Sequence, residues 1–74
     1  MAQQKGDDKM GYGLKILTFR AKYDLSQEEM AKILGVSIQT IHRYETGKAH
    51  PYAMSMIKYD NKMKVWEERK NGAF

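Results

Sequence analysis

The chain has 74 residues, no cysteine and a formal net charge of +4. A chain this short is one domain at most and buries only about 60% of the surface it exposes when unfolded; disulfides and thiolate zinc sites are excluded, so stability must come from helix packing, alone or with the aid of a partner subunit. The basic balance suits a polyanion such as nucleic acid or an acidic membrane surface, and no apolar run approaches the roughly 20 residues of a membrane span.

Residues 1–11, "MAQQKGDDKMG", are polar with glycines at 6 and 11 and are expected to form a flexible arm. They lack the apolar h-region of a signal peptide, which points to a cytoplasmic protein. From Tyr12 the pattern turns helical: Tyr12, Ile16, Phe19 and Tyr23 form one stripe of an α-helix. Leu14 and Leu17 form a second stripe, which either meets another helix or makes an exposed patch for a partner.

"LSQEEM" carries two helix-start signals. Ser26 and Glu29 make a capping box, and Leu25 with Met30 a hydrophobic staple. Met30, Ala31 and Leu34 share one face, and Gly35 suits the left-handed residue that ends a helix. The second helix is therefore expected over about 26–34. Ser37 can cap a third helix and Gly47 can end it, giving about 37–46 after a short link of the helix-turn-helix kind. Pro51 fits the first turn of a fourth helix. Tyr52, Met56, Tyr59, Met63 and Trp66 then make a seam that runs to about residue 70, with Asp60-Asn61 as the one place for a break. Residues 71–74 form a tail. The expected architecture is all-α, a compact bundle of four helices, or five if the last one splits.

At about 100° per residue, Ile38, Gln39, His42, Arg43 and Thr46 fall within an arc of roughly 140°. Ser37, Thr40, Ile41, Tyr44 and Glu45 occupy the other side. The outward face thus offers amide, imidazole, guanidinium and hydroxyl groups, and avoids the Lys and Glu that usually fill a merely solvated helix face. Gln can bond adenine bidentately and Arg can do the same to guanine, while Ile38 can touch a thymine methyl. Glu45 lies inward, in the last turn, where the helix dipole disfavours an anion. It needs a cation, and Arg20, at the inner edge of the first helix, is the best candidate. Such a pair would tie the first helix to the third.

Residues 25–51, "LSQEEMAKILGVSIQTIHRYETGKAHP", resemble the helix-turn-helix of the lambda-repressor-like, Cro/CI or XRE family. Leu-Ser-Gln before the second helix, Ala31 at the helix contact, Gly-Val-Ser in the turn, Thr-Ile, the Glu-x-Gly ending and Pro51 stand at the family's spacing, as does Arg20. The resemblance covers about residues 14–59. It implies a third helix that lies in the DNA major groove, with Ile38, Gln39, Thr40, His42 and Arg43 facing bases or nearby backbone and Gln27, Thr46 and Lys48 contacting phosphates. It also implies the inner Arg20–Glu45 pair. Beyond Tyr59 the family's usual glycine-containing break is missing, which leaves one helix or two open over residues 52–70.

Gln27 follows a helix N-cap, where free N–H groups and the positive dipole end favour a phosphate. Lys48 and His50, in the loop after the third helix, could flank the same phosphates. His42 and His50 lack the third ligand and the spacing of a metal site, and no Ser-His-Asp set or glycine-rich phosphate loop is present. No cofactor and no catalysis are expected. The resemblance points to a transcriptional regulator, a repressor of phage or mobile-element type, binding an inverted repeat in double-stranded DNA as a homodimer. Met63 and Trp66 are the dimer candidates. The other reading is a protein-interaction module of the same fold, such as an antitoxin or anti-repressor, using Leu14, Leu17, Val65 and Trp66.

Overall fold

Helix α1 spans Gln4–Tyr23, α2 Gln27–Leu34, α3 Ile38–Glu45 and α4 Ala53–Lys70 in the computed structural model, which describes residues 4–72. The ends of the expected arm and tail, residues 1–3 and 73–74, lie outside the described residues. α1 starts well before Tyr12, so the rest of the expected arm forms its first turns. Gly6 and Gly11 cost about 1 kcal/mol each relative to alanine but do not forbid a helix, as a proline would. Once the packed segment from Tyr12 has nucleated, extension toward Gln4 is cheap.

Each helix junction is stopped by a left-handed residue. α1 ends on Asp24 at φ 55, with Leu25 N–H donating to Arg20 C=O at 2.9 Å. This is the hydrogen-bond pattern of a Schellman motif, built on an aspartate where no glycine is available. Gly35 (φ 74) and Gly47 (φ 78) end α2 and α3 as expected. The capping box on α2 is complete: Glu29 N–H donates to Ser26 Oγ at 3.0 Å, and Ser26 N–H donates to Glu29 Oε1 at 2.8 Å.

Two expectations for α4 are corrected or narrowed. Pro51 does not sit in its first turn; it is buried just before the N-cap, Tyr52. Asp60-Asn61 does not interrupt the helix, which runs unbroken to Lys70. An aspartate breaks helices when its side chain competes for backbone groups. Here the Asp60 carboxylate is drawn off instead, accepting from Tyr12 Oη at 2.7 Å and pairing with Lys15 Nζ at 2.9 Å.

The core comprises Tyr12, Ile16, Met30, Ala31, Leu34, Ile41, Tyr44, Tyr59 and Met63, from all four helices. Met63 is only 4% exposed within a single chain, so it offers no surface to a second one. Trp66 is half-buried against Phe19 (ring centroids 5.7 Å apart) and Tyr23 (5.0 Å) and serves to hold α4 on α1. The dimer seam expected at Met63 and Trp66 is thus largely internal packing. Leu14 and Leu17 are left exposed.

Candidate nucleic-acid interface

Ser37 starts α3 by accepting from Thr40 N–H at 3.1 Å, and its hydroxyl lies 2.8 Å from that of Thr40. From this cap the helix buries Ile41 and Tyr44 and turns Ile38, Gln39, His42 and Arg43 outward, all exposed. Thr40, a base-facing position only by resemblance, is half-buried at the edge and tied to the cap. Lys48 and His50 are exposed in the loop between α3 and α4. Thr46 is exposed, but its hydroxyl donates to His42 C=O at 2.9 Å, so a phosphate contact there requires that hydroxyl to swing outward.

Behind this face stands a node that joins three helices. Arg20 grips Glu45 with both edges of its fork: Nε donates to Oε2 at 2.8 Å and an Nη to Oε1 at 2.9 Å. Its other Nη donates to Leu25 C=O at 2.9 Å, in the link between α1 and α2. Gln27 Nε2 donates to Glu45 Oε1 at 2.9 Å. Burial alone would raise the Glu45 pKa, but the hydrogen bonds from Arg20 and Gln27 outweigh it and hold the carboxyl below its ordinary value. The hydrogen bond to Glu45 likewise raises Arg20, outweighing the opposite effect of burial. Both groups are therefore charged at neutral pH. Bidentate Arg–carboxylate geometry fixes orientation as well as distance.

The Arg20–Glu45 pair is found where the residues placed it. The Gln27 link is an addition. One amide N–H of Gln27 is engaged by Glu45, which leaves its other N–H to donate to an outside acceptor such as a phosphate. Two further contacts support α3. Tyr44 Oη lies 3.2 Å from Tyr59 Oη, tying α3 to α4. Gly13 of α1 presses so closely on the Tyr44 carbonyl that no side chain fits there. An isolated glycine inside a helical stripe is the only sequence signal for such a contact.

Among the described residues no cluster of His, Asp and Glu can hold a metal ion, and no helix is long and apolar enough to cross a membrane.

Comparison with known proteins agrees with this geometry. A helix-turn-helix family model matches residues 16–65. An uncharacterized HTH-type transcriptional regulator of Archaeoglobus fulgidus is 51% identical over 37 residues, covering 50% of this chain and 53% of that protein. A second from the same organism is 49% identical over 37 residues, covering 50% of this chain and 52% of that protein. One of Methanocaldococcus jannaschii is 51% identical over 37 residues, covering 50% of this chain and 56% of that protein. The chain therefore spans about half the length of the curated relatives it matches. No solved structure matches. The family match takes in α2, the turn and α3 together with the Arg20–Glu45 node behind them, and the chain belongs to the XRE-type helix-turn-helix family.

Proposed function

We propose that this protein is a sequence-specific DNA-binding transcriptional regulator whose α3 enters the major groove. The observation that carries this reading is the outward set Ile38, Gln39, His42 and Arg43 on a short helix clamped from behind by Arg20, Gln27 and Glu45. A base-reading helix needs side chains with donor and acceptor patterns, held in fixed register. The names of the relatives, HTH-type transcriptional regulators, support the same reading. One module this small makes few base contacts. Two copies on half-sites about one helical turn apart supply the missing affinity, so the site is an inverted repeat bound by a homodimer, and occupancy represses.

Arg43→Ala weakens specific binding by roughly 1–3 kcal/mol and relaxes preference at one base pair, because the lost contact is a bidentate one to guanine. Equal loss on all sequences would make Arg43 a phosphate contact instead. Lys48→Ala lowers affinity without altering sequence preference and flattens the salt slope by about one unit. Both are read by titrating duplexes at several salt concentrations.

The decisive experiment is selection from random duplexes. A palindromic enriched site gives the operator and its half-site spacing. Absence of any enriched sequence overturns the reading and favours a protein partner as the main ligand.

A further inference from the structure

α4 carries apolar residues on two opposite faces. Tyr59, Met63 and Trp66 point to the core side. At about 100° per residue, Met54, Ile57, Asn61 and Val65 line up within an arc of roughly 80° on the other side. Met54 is 71% exposed, Ile57 56% and Val65 44%. A helix face that only meets water is normally filled with charged and polar groups. This stripe continues into an open groove of about 340 Å³ between α2 and α4, lined by Ile33, Val65 and Trp66 and by Lys62 and Arg69. A Cβ on Gly35 would lie 3.7 Å from Lys62 Nζ, which puts that cation beside the turn ending α2.

Three cations gather on one edge of the stripe. Lys58, Lys62 and Arg69 fall along one edge by the same angular count. Asp60 and Glu67 fall on the far flank, where α1 holds them: Asp60 by Tyr12 at 2.7 Å and Lys15 at 2.9 Å, Glu67 by Lys22 at 3.1 Å and by Tyr23. The third carboxylate, Glu68, is half-buried and by the same count falls within the arc of the stripe itself, one turn beyond Val65, while Lys64 falls just outside Ile57 on the flank of Asp60 and Glu67.

We propose that the outer face of α4 with the α2–α4 groove is a docking surface for an acidic amphipathic helix of another protein. Its apolar ridge would lie along Met54, Ile57 and Val65, and its carboxylates would meet Lys58 and Lys62. This is recognition of a helix in a groove, anchored at i, i+3, i+4 and i+7 positions. A second copy of this chain is the poorer occupant. Antiparallel pairing of α4 with itself sets the basic edge against the same edge of its mate. Nucleic acid suits the basic edge but gains nothing from the apolar stripe.

The test is a titration of the isotope-labelled full chain, followed by NMR, with a synthetic helical peptide carrying Leu at i, i+3, i+4 and i+7 and Glu elsewhere. A scrambled peptide of the same composition and a peptide with Lys in place of Glu are run beside it. The acidic amphipathic peptide shifts the signals of Ile57, Val65 and Trp66. Lys62→Glu and Val65→Glu each weaken that binding roughly tenfold or more, with melting temperature and DNA affinity preserved. If Val65→Glu fails to fold, Ile57→Glu takes its place. The proposal is overturned by no shift at about 1 mM peptide, by equal binding of the three peptides, or by parallel loss of DNA affinity in the variants. It is also overturned if sedimentation shows that the chain alone dimerises and that Ile57→Glu returns it to monomer, which assigns the face to a second copy.

Discussion

Replacing Gly13 by alanine lowers the melting temperature by about 8–16 °C, whereas the same change at Gly11, two residues earlier in α1, raises it. A Cβ on Gly13 would stand 1.9 Å from the Tyr44 carbonyl oxygen and 2.7 Å from its carbon. Both are backbone atoms of α3, so no rotamer change relieves the clash; α3 as a whole must back away from α1. Overpacking of a tight contact costs about 1–3 kcal/mol and sometimes more. Against this stands the gain in helix propensity, about 1 kcal/mol for Gly to Ala. At Gly13 the clash, against unyielding backbone, lies at or beyond the top of that range and wins. At Gly11 nothing lies within 4 Å, so only the gain remains. In a domain of this size each kcal/mol moves the midpoint by about 4–8 °C. Thermal melts by circular dichroism of the two variants separate the cases, and a Gly13→Ala melt as high as the unmodified protein's would refute the close approach. The same displacement carries the outward face of α3 with it, so specific DNA affinity falls even at temperatures where the variant is folded.

The residues that spoke most clearly in the sequence are those whose roles are local. Ser26, Glu29, Gly35, Ser37 and Gly47 mark helix ends through bonds to their own neighbours, and the structure has those ends where the pattern put them. The inward and outward sides of α3 also follow from angular spacing alone, as the burial of Ile41 and Tyr44 bears out. Glu45 could be matched to Arg20 because an inward carboxylate in a last turn demands a cation. Long-range roles were less legible. Met63 and Trp66 sit on the same seam as Tyr59, and periodicity cannot say whether such a seam meets its own core or a partner. Only the packing of α1 against α4 decides that. Asp60 reads locally as a helix breaker; its partners Tyr12 and Lys15 are distant in sequence, and they are the reason it does not act as one. Asp24 takes a left-handed conformation that short polar residues reach only at a cost, which the chain reversal into α2 imposes. The polar outer face of α3 is visible in the sequence, but the base preference proposed for it is not, because such a preference depends on how the helix is docked as well as on which side chains it carries.

Arg20→Ala is expected to unfold or loosen the domain, with a loss of about 3 kcal/mol. The side chain of Arg20 is 20% exposed and that of Glu45 only 7%. Removing one partner of a buried pair costs on the order of 3–5 kcal/mol, because the other charge is left without compensation. The residual access of Arg20 to water places the loss at the lower end of that range. The variant strands Glu45 at the C-terminal end of α3 with only Gln27 as donor, and it frees Leu25 C=O in the link to α2. Arg20→Lys keeps the charge but cannot reproduce the two-pronged contact, so it recovers only part of the stability. The pH dependence identifies the mechanism. Glu45 has a folded-state pKa below its ordinary value of 4.5, despite burial, because Arg20 and Gln27 favour the ionised form. A depressed carboxylate contributes stability that is fully present above the unfolded pKa and is lost as pH falls through the folded one. The unmodified protein therefore loses stability as the pH drops below about 4.5, and Asp60 and Glu67, also depressed, add to the slope. Arg20→Ala starts from lower stability at neutral pH and shows a shallower acid slope, since protonating Glu45 no longer breaks the pair. Denaturant melts at pH 7 and in the acid range measure both effects. Equal slopes, or a melting temperature unchanged at neutral pH, would show that the node does not hold α3 in place.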